Sequence, residues 1–239
     1  MPHKRFDMLR GEDRGVHYGL LLMTNVLIAT SNAGKLRDFA GAAARLGVTI
    51  LGIPDFHLLP EVLEDGLTFE ANARKKAAEY SLHARGEIVL ADDSGLEVDA
   101  LNGAPGVHSA RYAALEDLSG EGCPRPSGNA DIANSADAAN NARLLRELSS
   151  VAAERKTAHF VCVLAAARDG EVLAVFPGKV EGVILDAPRG THGFGYDPLF
   201  FVPPLQRALA ELSAEEKAQV SHRGAAFRLF LEWYKRQRR

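Results

Sequence analysis

Apolar residues along this chain keep two rhythms, short continuous runs and helical spacing. Val26-Leu27-Ile28-Ala29 is a run of buried-strand length, and Leu36 to Leu46 after it has the spacing of an amphipathic helix. Val48 to Ile53, β-branched and apolar, predicts a second strand. Pro54 to Gly66 breaks the pattern as a loop carrying Glu61, Glu64 and Asp65. Thr68 can cap a helix running to about His83, with Phe69, Ala73, Ala77 and Tyr80 on one face. Asn72 and Lys76, four apart, share another face of it. Ile88-Val89-Leu90-Ala91 predicts a short buried strand that ends in a polar turn, Asp92-Asp93-Ser94-Gly95.

In the second half a helix is predicted over Ala138 to Leu148. His159 to Leu164 and Val172 to Phe176 read as strands joined at Asp169-Gly170, a hairpin signal, with Lys179 to Leu185 as a third antiparallel strand. Ser213 with Glu216 forms a capping box. Phe227, Phe230, Leu231 and Tyr234 make a core-facing stripe on the last helix, and Lys235 to Arg239 reads as a solvated basic tail. Strands that alternate with helices and then give way to a meander define an α/β class, with a mixed β-sheet flanked by helices.

The ends and one internal stretch depart from this pattern. Met1 to Asp13 is charged and aperiodic, and Gly19 to Met23 is too short for a secretory h-region. Residues 1–24 therefore read as a disordered or non-native extension, with translation starting at Met1 or Met23. Residues 25–239 read as a single domain, and the Gly/Ser/Pro-rich stretch near 119–128 as a surface insertion in it.

Composition narrows the partners. The 239 residues are 46% hydrophobic with a net charge of −3, so no global basic field draws the chain to nucleic acid or an anionic membrane. No apolar run approaches the roughly 20 residues that cross a bilayer. The two cysteines, Cys123 and Cys162, fit a reduced, cytoplasmic setting.

The chemistry gathers at strand ends. Thr30-Ser31-Asn32-Ala33-Gly34-Lys35 carries the first strand into a helix N-terminus, where free N–H groups, the helix dipole and a lysine favour a phosphate. The turn is not a Walker A loop, because Ala29 and Leu36 stand where that motif needs Gly and Ser or Thr. Asp92-Asp93 stands at the end of another strand, and sites in open α/β sheets form beyond such ends. Adjacent carboxylates repel, and a divalent cation relieves that; Glu64 can complete the set. Oxygen ligands without nearby His or Cys favour Mg²⁺ over Zn²⁺. Lys76 can add a second positive charge. A phosphate cradle beside spare carboxylates suggests phosphoryl or pyrophosphoryl chemistry.

Six segments, in order, resemble the inosine/xanthosine triphosphate pyrophosphatases. They are Ala29 to Lys35, Gly66 to Ala73, Ala91 to Leu101, Gly103 to Tyr112, Gly193 to Phe201 and Ser221 to Gly224. The resemblance runs from about Asn25 to Tyr234. It implies a long twisted mixed sheet between two lobes with a central cleft, a homodimer, and Mg²⁺-dependent hydrolysis of ITP, dITP or XTP to the monophosphate and pyrophosphate. Carried over residue by residue, it implies that Thr30, Ser31, Asn32, Ala33, Gly34 and Lys35 hold phosphates with Lys76. Asp93 is implied as general base or as a metal ligand that positions water, Glu64 and Asp92 as supports for the metal, and Ser94 as a substrate contact. Phe194, Gly195, Tyr196, Asp197, Lys217, His222 and Arg223 are implied as the base pocket. Phe194 can stack on a purine, while Lys217, His222 and Arg223 can donate to a 6-oxo group that adenine lacks. Ser31 departs from the Gly many members carry there, and the 119–128 stretch is longer than usual. Two alternatives remain open: a pyrophosphatase of different base preference, and a nucleotide-sensing module without turnover.

Overall fold

The computed structural model describes residues 24–44, 48–117 and 129–237. Of the 1–24 extension, residues 1–23 lie outside the described residues, as does the 119–128 stretch with Cys123, whereas Thr24 already opens the first strand. The strands are β1 (Thr24–Ile28), β2 (Val48–Gly52), β3 (Val89–Val98), β4 (Thr157–Arg168), β5 (Glu171–Ile184), β6 (Phe200–Val202) and β7 (Arg207–Ala208). They form a seven-stranded sheet in the order β2-β1-β3-β4-β5-β6-β7. β1 runs parallel to β2 and β3, and every later pairing is antiparallel. The helices are α1 (Ala33–Ala44), α2 (Phe69–Ser81), α3 (Ala114–Asp117), α4 (Asn129–Glu147), α5 (Ala214–Val220) and α6 (His222–Gln237). The mixed sheet of the sequence pattern is thus present, flanked by helices. None of the described helices is long and apolar enough to cross a membrane.

Local chemistry sets these elements as expected at several points. The Thr68 side chain accepts the N–H of Ala71 and starts α2. Ser213 and Glu216 close a reciprocal box at the start of α5. Asp169 and Gly170 both take positive φ, 50° and 88°, and turn β4 into β5.

Two expectations are corrected. Asp92-Asp93-Ser94-Gly95 is not a turn, because β3 continues through it with β4 alongside, from Val89 opposite Ala167 to Val98 opposite Ala158. A polar run survives inside a strand here because buried cations and amides partner its side chains. Gly95 is there for space, since a Cβ would sit 2.4 Å from Ser109 Oγ. Nor is Lys179 to Leu185 a separate strand, because β5 runs unbroken through Pro177-Gly178. Along β5, β6 pairs only with Val183 and Ile184, so an N–H is not needed on the outer edge at Pro177. At Gly178 the α6 backbone passes so close that a Cβ would lie 2.0 Å from the carbonyl oxygen of His222.

The strand period explains where the cleft falls. Leu90, Asp92, Ser94 and Leu96 lie on one face of β3. Leu90 belongs to a cluster with Val26, Phe39, Phe227 and Phe230 under α1 and α6. Leu96 belongs to another with Leu144, Phe160, Phe200 and Leu209. The polar pair between them marks the gap between two lobes. On the opposite face, Val89 and Ala91 pack with Ala73, Ala77 and Tyr80 of α2, and Asp93 comes next.

Candidate functional site

β1 pairs with β3 only at Leu27–Val89 and Ile28–Leu90, and the chain turns away after the Ala29 N–H bonds to the Leu90 carbonyl at 2.7 Å. Beyond that point β1 no longer covers the edge of β3, until Pro105 bridges it again at Glu97. Asp92 and Asp93, on opposite faces of the strand, therefore border the same cleft of about 600 Å³ around that edge.

One end of the cleft is the turn into α1. Thr30 Oγ1 accepts the Asn32 N–H at 3.1 Å, and Asn32 Oδ1 accepts the Lys35 N–H at 3.0 Å, so Asn32 caps the helix. Ser31, Asn32 and Ala33 are exposed. Lys35 reaches back to Asp92 at 3.1 Å. Asp92 is buried, with Arg223 Nε at 3.7 Å and a bond from Ser94 Oγ at 2.9 Å. Burial acts to raise its carboxyl, but Lys35, then Arg223 and Lys76, hold it far below the ordinary carboxylate range.

Asp93 has a different setting. Its Oδ2 accepts from Asn72 Nδ2 at 3.0 Å, and Lys76 Nζ lies 3.5 Å from its Oδ1 and 3.0 Å from Glu64 Oε1. Here burial wins, and Glu64 adds to it, so the carboxyl is raised despite Lys76 and Asn72. Burial acts to lower the Lys76 ammonium, but Asp93, Asp92 and Glu64 together raise it.

The far end carries aromatic and basic groups. Phe194 rests on Gly34 so closely that a Cβ there would meet its ring at 2.5 Å. Lys217 Nζ and Arg223 Cζ lie 4.9 and 5.0 Å from the ring centroid. Arg223 Nη2 donates to Ser94 Oγ at 2.8 Å. His222 is buried and stacked on Phe160, with centroids 4.8 Å apart and planes 11° from parallel. Both its ring nitrogens and Arg223 Nε lack a hydrogen-bond partner. Burial, then Arg223 and Lys217, push the His222 imidazole well down, so the ring is neutral.

The cleft is bordered by Thr30, Ser31, Asn32, Lys35, Glu64, Lys76, Asp92, Asp93, Ser94, Phe194, Gly195, Tyr196, Asp197, His222 and Arg223. Ala33, Gly34 and Lys217 do not border it. Lys217 is buried behind, its ammonium 2.6 Å from Asp197 and 3.2 Å from Asp38. Asp197 is raised by burial and opposed by Lys217. The Tyr196 hydroxyl is committed to the Ser109 carbonyl at 2.9 Å.

Sequence reasoning missed Asp38 and gave Asn72 no role. Asp38 holds both base-end cations, with Arg223 Nη1 at 3.1 Å as well as Lys217. Its signal was an acid three residues after Lys35 on the same helix face. Asn72 also takes the Gly66 N–H at 2.8 Å, tying the loop before α2 to Asp93.

Among the described residues no three His, Cys, Asp or Glu side chains converge as a metal cage. Glu64 and Asp93 do flank one cationic position, held by Lys76. Two carboxylates in that relation suit a hard divalent ion that takes its remaining ligands from phosphate and water. Asp92 is already neutralised by Lys35 and Arg223.

Fold and cleft together describe an α/β protein whose cleft has a lysine-bearing helix N-terminus at one end and an aromatic ring among cations at the other. The Ham1 family profile matches residues 26–233. The dITP/XTP pyrophosphatase of Geobacter sulfurreducens is 50% identical over 207 residues, covering 87% of this chain and 94% of that protein. The protein of the same name from Exiguobacterium sibiricum is 47% identical over 204 residues, covering 85% and 93%. Among solved structures, the Staphylococcus aureus Ham1 protein superposes with a TM-score of 0.69 at 39% identity, covering 90% of this chain and all of the other (100%). The nucleoside-triphosphatase / dITP/XTP pyrophosphatase of Mycobacterium abscessus gives a TM-score of 0.61 at 39% identity, covering 87% and 97%. The chain belongs to the Ham1 family.

Proposed function

We propose that this chain hydrolyses non-standard purine nucleoside triphosphates (ITP, dITP and XTP) to the monophosphate and pyrophosphate, removing them from the nucleotide pool. The names of its relatives support this reading. The observation that carries it is one cleft with lysines and a helix N-terminus at one end, unpartnered donors at the other, and the raised carboxyl of Asp93 between them.

In this reading the turn from Thr30 to Lys35 and Lys76 grip the polyphosphate. Glu64 and Asp93 would hold the divalent cation, proposed as Mg²⁺ because one or two carboxylates with phosphate oxygens suit that ion. When bound, it neutralises phosphate charge and draws electron density from phosphorus. Asp93 accepts the proton of the attacking water, as a general base placed beside the cation. One P–O bond to water forms, the bridging P–O bond at the α–β anhydride breaks, and pyrophosphate leaves with the electron pair.

Base choice follows from satisfaction of buried donors. Neutral His222 offers one N–H, and Arg223 Nε, 3.7 Å from the Asp92 carboxylate, offers another, both without a hydrogen bond inside the protein. A 6-oxo purine supplies an acceptor, whereas the 6-amino group of adenine meets donors with a donor. Leaving such groups unpaired supports discrimination up to about 10⁴-fold. Phe194 supplies the stacking face. The resemblance carries a homodimer with it, which size-exclusion with light scattering reads, and the two cysteines fit a reduced, cytoplasmic setting.

Incubation with ITP and Mg²⁺, followed by separate assays for pyrophosphate and orthophosphate, tests the reaction. Equal amounts of IMP and pyrophosphate are expected. Orthophosphate with IDP, or binding without turnover, contradicts it.

A further inference from the structure

We infer that Asp137 is a positioning residue that holds the Phe194 ring in place through the Gly195 peptide; this rests on reading Phe194 as the stacking face. Phe194 stands between two glycines of positive φ, Gly193 at 80° and Gly195 at 61°. No atom lies within 4 Å of a Cβ built on Gly195, so glycine serves its backbone angle there rather than a close approach. Two such glycines leave the loop many conformations unless something removes them.

Side chains from two directions remove them. Asp197 Oδ2 accepts the Phe194 N–H at 2.9 Å from within the base end. From α4, Asp137 Oδ2 accepts the Gly195 N–H at 2.7 Å, and Asn141 Nδ2 donates to the Gly195 carbonyl at 3.0 Å. Asp137 and Asn141 are four residues apart and share a helix face, so one face of α4 grips the two peptides that meet at Gly195, the one shared with Phe194 by its N–H and the one shared with Tyr196 by its carbonyl. The carboxylate bond is charge-assisted and is the stronger of the two. The ring has little slack, because it already touches Gly34 and sits beside Lys217 and Arg223. A small shift of the Phe194–Gly195 peptide therefore moves the ring relative to all three.

A double-mutant cycle tests this, using Asp137→Ala, Asp137→Asn and Phe194→Ala with ITP and Mg²⁺. Asp137→Ala is expected to raise KM about tenfold with kcat little changed, the size of one lost charge-assisted bond. Asp137→Asn keeps an oxygen acceptor and recovers most of that loss. On the Phe194→Ala background the Asp137→Ala penalty disappears, because the ring it positions is gone. Where Asp137→Ala does not fold, Asp137→Ser, too short to reach the peptide, runs the same cycle. Additive penalties, or an unchanged KM in Asp137→Ala, overturn the inference. A wild-type KM in Phe194→Ala instead overturns the stacking reading beneath it.

Discussion

Asp92 and Asp93 share a peptide bond and differ in which face of β3 they occupy. Toward α1 and α6, Asp92 meets two full positive charges, Lys35 and Arg223, and its carboxyl is held down. Toward α2, Asp93 meets one lysine shared with Glu64 and an amide, and burial raises it. Two adjacent side chains are thus pushed apart in acidity by the two layers of the fold. Such separation is how one site assigns different roles to like groups. Asp92 is a fixed countercharge tying the turn into α1 to Arg223, and Asp93, in the proposed reading, is the group that takes a proton.

Substitution breaks this contrast most sharply at Asp93. Asp93→Asn should lower kcat by about 10²–10⁴-fold, the usual worth of a general base, in steady-state assays with ITP. Its stability should change little, because burial already favours a neutral group there. Asp92→Asn should do the reverse in a denaturant melt. Removing a countercharge from buried cations costs about 3 kcal/mol, a large share of typical stability. Equal losses of stability in the two variants would erase the distinction.

Smaller effects sharpen it. Asp38→Asn should leave Lys217 and Arg223 less well fixed and cut the preference for ITP over ATP about tenfold, as loss of one charge-assisted bond does. An unchanged preference removes Asp38 from specificity. The pH dependence should be smaller still near neutrality. Asp93 must be ionised to act, and its pKa is raised, so kcat/KM should fall as pH drops through a value above the ordinary 3.8. The Asp92 contribution to stability has the opposite origin. Its depressed pKa gives stability that is fully present above the unfolded value and lost only as pH falls well below it. Acid should therefore stop catalysis before Asp92 ceases to support the fold, as parallel activity and melting curves would read.

Much of this frame was legible in the chain. Thr68, Ser213 with Glu216, and Asp169-Gly170 act locally, and their patterns predict the elements they start or turn. The polar run from Asp92 to Gly95 misled because its partners come from residues as distant as Lys35 and Arg223, and local pattern cannot supply them. Pro177-Gly178 misled for a related reason, since the glycine answers a helix that arrives more than forty residues later in sequence, at His222. At the site, the structure gathers most of the charged and aromatic residues read from the sequence around one cleft, with Ala33, Gly34 and Lys217 set back from its wall. Asp38 stayed hidden because its work is done on other side chains, and that role exists only after α1, α5 and α6 pack together.

The most direct measurement is kcat/KM for ITP, XTP and ATP with Mg²⁺, read as pyrophosphate formed. The account predicts that both 6-oxo substrates exceed ATP by about 100-fold or more, since His222 and Arg223 find an acceptor only in them. Equal values across the three would contradict it.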